Sequence, residues 1–177
     1  MKNYNIEKSK NNISIINTSN GLNINLTITQ PIAENCSLKN ILKDSINGAV
    51  YIETLNIKVT LQENASINII DDLLDFDITR SSIEFILNKN SKLNYDLKIL
   101  DLENINETND GLLVAYNQQG YFDKQIIFSF LGENSETTAK CIIKGNGNRL
   151  FKFKTIQNHK VSNTKSNLII KGAFCQN

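Results

Sequence analysis

The sequence has no tryptophan, one histidine, one proline and one methionine among 177 residues. A single imidazole cannot complete an ordinary zinc set, and the three cysteines, Cys36, Cys141 and Cys175, are far apart with no C-x-x-C pair. Odd in number and scattered, they read as small thiols in a reducing compartment. Excess charge of either sign is also missing, since 19 Lys and Arg face 18 Asp and Glu for a net charge of +1. That balance implies no nucleic-acid partner. No apolar run approaches a membrane span, and the N-terminus MKNYNIEKSKNNISIINTSN lacks the long apolar core of a signal peptide. The expectation is therefore cytoplasmic and soluble, with no membrane association. The length fits one domain with a real core: residues 1–11 form a flexible N-terminus and 12–177 a single core domain.

What the sequence has in quantity is asparagine, roughly one residue in six. It is spread among isoleucines rather than gathered in a tract, which points to compositional bias more than to a low-complexity segment. Leu22-Asn-Ile24-Asn-Leu26-Thr-Ile28 alternates strictly, the mark of a strand with one buried face. Further strands are expected at 13–17, 49–53, 55–61, 66–70, 82–87, 92–100, 111–116, 125–131, 137–143, 149–156 and 167–171, joined by Asn, Gly, Asp and Ser. Residues 32–48 read as a loop with one helical turn. No period near 3.6 is sustained, so the chain is all-β.

A recurring form separates the β architectures. Leu61-Gln-Glu-Asn64-Ala65, Leu87-Asn-Lys-Asn90-Ser91 and Leu131-Gly-Glu-Asn134-Ser135 each end a strand, turn at an asparagine and restart on a small residue. The leucines are 26 and 44 residues apart. The second interval reads as two units of about 22, the period of a β-solenoid. Asparagine suits such turns because it tolerates a left-handed backbone. A parallel β-helix is expected, with a β-sandwich built from similar hairpins as the alternative.

Several residues invite chemistry. Asp71, Asp72, Asp75 and Asp77 could bind a hard cation or act as acid and base, as in a β-helical polysaccharide-active enzyme, but the run offers them no paired basic or aromatic partner. They read as a solvated loop. Gly145-Asn-Gly147-Asn is a turn, because no helix follows to complete a phosphate loop. Arg149, Lys152, Lys154, Lys160 and Lys165 alternate with Phe151, Phe153 and Ile156 through a run that reads as a half-buried strand. His159 has Ser162, Thr164 and Ser166 close by, but no acid within twenty residues to orient it, which favours a structural histidine over a catalytic one. Cys141 and Cys175 could join it as soft ligands only if the fold brought them together.

From Glu133 onward the order is a small-residue turn, a strand, a glycine turn, a strand, and then His159-Lys-Val-Ser-Asn-Thr164-Lys-Ser166, ending in Lys171-Gly172. This block resembles the core domain of the SufB/SufD family of iron–sulfur cluster assembly proteins. Residues 55–100 look like that family's preceding coils, so the similarity covers roughly residues 13–174. The resemblance implies a right-handed parallel β-helix and a non-catalytic, SufD-like scaffold subunit of the SUF system. Its partners would be SufB-like and SufC-like proteins, or a second copy in a homodimer. It implies structural roles for His159, Thr164, Ser166, Lys171 and Gly172. No catalytic, cofactor-binding or metal residue carries over, and an iron–sulfur cluster is expected only in an assembled complex. The later coils and the C-terminal helical part of the family have no counterpart here, so the expected relative is a truncated one. A β-solenoid interaction module unrelated to clusters is the further alternative.

Overall fold

The computed structural model of the chain describes residues 3–8, 11–18, 21–43, 51–73, 77–99, 121–146 and 150–175. It begins with β1 (Asn3–Lys8), β2 (Asn11–Thr18) and β3 (Gly21–Ile28), followed by β4 (Asn35–Ser37) and the short helix α1 (Leu38–Lys43). Then come β5 (Tyr51–Leu61), β6 (Ser66–Asp71), β7 (Asp77–Leu87) and β8 (Lys92–Ile99). The chain continues with β9 (Tyr121–Phe130), β10 (Glu136–Asn146), β11 (Leu150–His159) and β12 (Lys165–Cys175).

From β3 onward, odd and even strands separate into two sheets. Sheet A runs β1-β2-β3-β5-β7-β9-β11 and sheet B runs β12-β10-β8-β6-β4. From β3 onward every pairing in sheet A is parallel, as is every pairing in sheet B. The chain is a β-solenoid of about four coils, not a sandwich. Each coil passes through one strand of each sheet, so a strand pairs with the equivalent strand of the next coil. The antiparallel ladder β1-β2-β3 covers the first parallel strand. Residues 3–8, mostly polar, pair as β1 with β2, because backbone groups pair whatever side chains they carry.

The interior follows from period two. Leu22, Ile24, Leu26 and Ile28 are buried in β3, and Leu55, Ile57, Val59 and Leu61 lie directly beside them in β5. The columns continue through Ile83, Phe85 and Leu87 into Ile126, Phe128 and Phe130. From sheet B, Ile67 and Ile69 face Leu93 and Tyr95 of the next coil. Burying a side chain of this size is worth about 1.5–3 kcal/mol, so the stacked columns are the main stabilising feature. Phe85, Tyr95 and Phe128 meet at its centre, with ring centroids 5.2, 5.4 and 6.2 Å apart.

Alignment of the repeat by its leucines does not survive. Leu61 pairs with Leu87, but Leu87 pairs with Phe130, and Phe130 with His159. Leu131 is an extra residue that points outward and is 46% exposed. The interval between Leu87 and Leu131 therefore holds one coil, not two, because β7 lies directly against β9. The strand expected at 111–116 falls outside the described residues.

The asparagines do what their chemistry allows. Asn64, Asn90, Asn134 and Asn163 have φ of 61, 56, 57 and 55°. Asn90 Nδ2 donates to Asn64 Oδ1 at 2.9 Å, and Asn134 Nδ2 to Asn90 Oδ1 at 3.3 Å, forming a ladder down one corner. The small residue that follows is buried, as Ala65, Ser91 and Ser135 are. The two serine hydroxyls donate to carbonyls three residues back, Asn88 and Gly132, each at 2.6 Å. Gly132 is required sterically, since a Cβ there would lie 1.9 Å from the Lys89 nitrogen.

Candidate functional site

Two places concentrate unusual residues: the outer coil formed by β11 and β12, and a charged cluster in the interior.

In the outer coil the inward positions change character. Continuing the columns of Ile126, Phe128 and Phe130, strand β11 places Thr155, Gln157 and His159. The His159 ring stacks on Phe130 with centroids 4.4 Å apart and planes 4° from parallel. Its Nδ1 lies 2.5 Å from Thr164 Oγ1 across the turn at Asn163. That turn repeats the corner of the earlier coils, with the Asn134 N–H donating to the Asn163 carbonyl at 3.0 Å. The spacing His-x-x-x-Asn-Thr is thus a fourth copy of the asparagine corner, missed in the sequence because Lys160 stands where the others carry Leu or its like.

Ser166 and Gly172 continue the inward columns of Thr137 and Ile143, whereas Lys171 is on the opposite, outer face beside Ile142. Of the five motif residues, the structure brings together only His159 and Thr164. Ser162 reaches an acid that sequence distance hid, donating to Glu133 Oε1 at 3.3 Å. Inward Leu168 is half-buried and inward Ile170 is 47% exposed, since β12 is the outermost strand of its sheet. Lys152 and Lys154 are exposed and Phe153 is half-buried, as their alternation predicted. Gly145 and Asn146 are strand residues at the end of β10, and 147–149 fall outside the described residues.

The interior cluster overturns the reading of the acidic run. Asp71 is buried, and its Oδ2 lies 2.5 Å from Lys124 Nζ, with the two side chains 1% and 3% exposed. The Tyr95 hydroxyl donates to the same Oδ2, while Asp71 Oδ1 has no hydrogen-bond partner among the described residues. A basic and an aromatic partner are therefore present, 53 and 24 residues away in sequence and one coil away in space. Period two held the signal. Asp71 shares its phase with Ile67 and Ile69, and Lys124 shares its phase with Ile126, Phe128 and Phe130, so both faced inward from the start.

Asp72 does something different. Its carboxylate accepts from Ser37 Oγ at 2.6 Å and from the Lys39 N–H at 2.8 Å, while Ser37 Oγ accepts from the Asn40 N–H at 3.1 Å. These bonds satisfy the free amides at the start of α1, whose Leu38 and Leu42 enter the core. Neither Asp71, shielded in the interior, nor Asp72, occupied in capping, forms an open acid–base pair. Asp75 lies outside the described residues, as does the side chain of Asp77.

Cys141 follows Asp71 and Leu97 down one inward column of sheet B. Burial and then the Asp71 carboxylate push its thiol up to about 11, against the opposing pull of Lys124. Burial, Asp71 and then Cys141 hold the Tyr95 hydroxyl well above its ordinary range. Cys36 is raised too, by burial and then by Asp72. Among the described residues, no three His, Cys, Asp or Glu side chains gather as a metal site, and no helix is long and apolar enough to cross a membrane.

No protein-family model, curated protein or solved structure matches the chain.

Proposed function

We propose that the chain is a non-catalytic, SufD-like interaction subunit of iron–sulfur cluster assembly. It joins a SufB-like protein, or a second copy, through its outer coil, and meets a SufC-like ATPase in the resulting complex. The observation that carries the reading is the half-covered coil of β11 and β12. Among the described residues, the outer edges of both strands are unpaired and no coil lies over inward Leu168 and Ile170. Ile142 and Ile169 add apolar surface on the outer face of the same sheet, 40% and 39% exposed. A strand edge of this kind is a template for pairing with a further strand, which we assign to the partner. The solenoid fold and the His159–Thr164 corner support the resemblance to the SufB/SufD core. The cluster is cargo of the assembled complex, and this chain supplies none of its ligands.

Co-expression with the SufB-like and SufC-like proteins of the same genome tests the proposal. The chain is expected to co-elute with them in reducing buffer, and Ile170→Asp to elute separately with an unchanged far-UV spectrum. Elution of the wild-type chain apart from both proteins would remove the proposal. Anaerobic reconstitution of the isolated chain is expected to leave no stable chromophore. A cluster that forms and then disappears in Cys141→Ser would overturn the absence of ligands.

A further inference from the structure

We propose that Lys124 and Asp71 condense to an intramolecular isopeptide bond, an amide that joins Lys124 Nζ to Asp71 Cγ and staples sheet A to sheet B through the interior. The two groups are already in contact, with Nζ 2.5 Å from Oδ2 and both side chains almost wholly removed from water. Each occupies an inward position beside a buried apolar neighbour of its own strand, Ile69 for Asp71 and Ile126 for Lys124, which holds it away from solvent. Holding two reactants so converts a bimolecular condensation into an effectively unimolecular one.

The surroundings favour the amide over the ion pair. Two buried charges lose hydration that their mutual attraction repays only when every remaining lone pair is satisfied. Here Asp71 Oδ1 is buried and has no hydrogen-bond partner among the described residues. A carboxylate oxygen in that state is costly, and an amide carbonyl carries less charge and costs less. Tyr95 donates to Oδ2, the oxygen that has to leave, and burial keeps its phenol protonated. The Phe85 and Phe128 rings around Tyr95 keep out the water that would reverse the reaction.

The step balances without an oxidant, reductant or co-reactant. A proton passes from Lys124 Nζ to Oδ2, leaving a neutral amine and a neutral acid with the same net charge. The Nζ lone pair forms the bond to Cγ. The Cγ–Oδ2 bond then breaks, and Oδ2 departs as water with the acid proton and one further proton from Nζ, relayed through the Tyr95 hydroxyl. Oδ1 becomes the amide oxygen. Lys124 and Asp71 are reactants, and Tyr95 is a relay that touches the reacting oxygen.

Intact-mass measurement of the full chain, denatured and reduced, tests this without reference to any partner. The wild-type chain is expected to be one water lighter than its sequence, and proteolysis to yield a branched peptide joining the segment around Asp71 to that around Lys124. Lys124→Arg is expected at full mass. Tyr95→Phe is expected to link more slowly in freshly purified protein, and linkage at the wild-type rate would overturn the relay. A wild-type chain at its full sequence mass would overturn the bond. So would a lost water that persists in Lys124→Arg, which would place it in a succinimide instead.

Discussion

His159 stacks face to face on Phe130, and the pair ends a column that begins with Ile28, Leu61 and Leu87. The histidine extends the inward column with a ring whose far side is exposed. His159→Ala removes the stack and the contact with Thr164, and is expected to destabilise the chain by about 1–2 kcal/mol. His159→Phe is expected to hold or raise the urea midpoint, since it keeps the ring and buries more apolar surface. A loss in both variants alike would mean that the contact with Thr164 dominates.

The asparagine corners give a graded series. At Asn90, φ of 56° is unfavourable for a side chain that cannot bond locally, and its amide bridges to Asn64. Asn90→Ala is expected to cost about 1–2 kcal/mol in chemical denaturation. Asn90→Gly is expected to cost less, because glycine adopts that backbone freely. Equal losses in the two variants would show that the ladder hydrogen bonds outweigh the backbone.

At Gly132 space, not φ, decides. A Cβ there would meet the backbone of Asn88 and Lys89 at 2.3 and 1.9 Å, and neither can move without opening the turn below. Gly132→Ala is expected to cost about 3 kcal/mol or more, read as a fall in midpoint or as loss of soluble protein. Leu131→Ser, one residue earlier on the outside, is expected to be nearly neutral.

Cys141 links stability to alkaline pH. Its thiol rises from 9.0 to about 11, so the folded state holds the proton more tightly than the unfolded chain. The unfolded state then binds fewer protons between those values, and stability falls as pH rises through them. Below pH 9 this contribution is intact. Tyr95 shifts in the same direction and adds to the fall at higher pH. Urea midpoints are expected to drop more steeply from pH 9 to about 11 in the wild type than in Cys141→Ala. At neutral pH, native Cys141 is expected to resist maleimide until the chain unfolds.

Much of the fold was legible because a strand buries alternate residues. The alternation at 22–28 and 125–131 needs no tertiary information, and neither does the preference of a left-handed corner for asparagine. Less legible were the equivalences between coils. Leucine at 61, 87 and 131 looked like one repeat, yet a one-residue insertion moved Phe130 into the column and Leu131 to the surface. The fourth corner, at Asn163, lost its leucine and so escaped the pattern, although its backbone matches the others.

By itself, the sequence determined that the chain is all-β and that its turns run through asparagine, and it set the phase of Asp71 and Lys124 without revealing that both point inward. These are local facts, set by side-chain phase and by the φ that each residue tolerates. Only the tertiary structure decided what those residues meet. Coiling stacks residues tens of positions apart at the spacing of a β-ladder, about 4.8 Å. In this way Asp71 found Lys124 and Tyr95, Asp72 came to cap α1, and His159 came to lie on Phe130. The acidic run looked solvated because its partners lay on other strands.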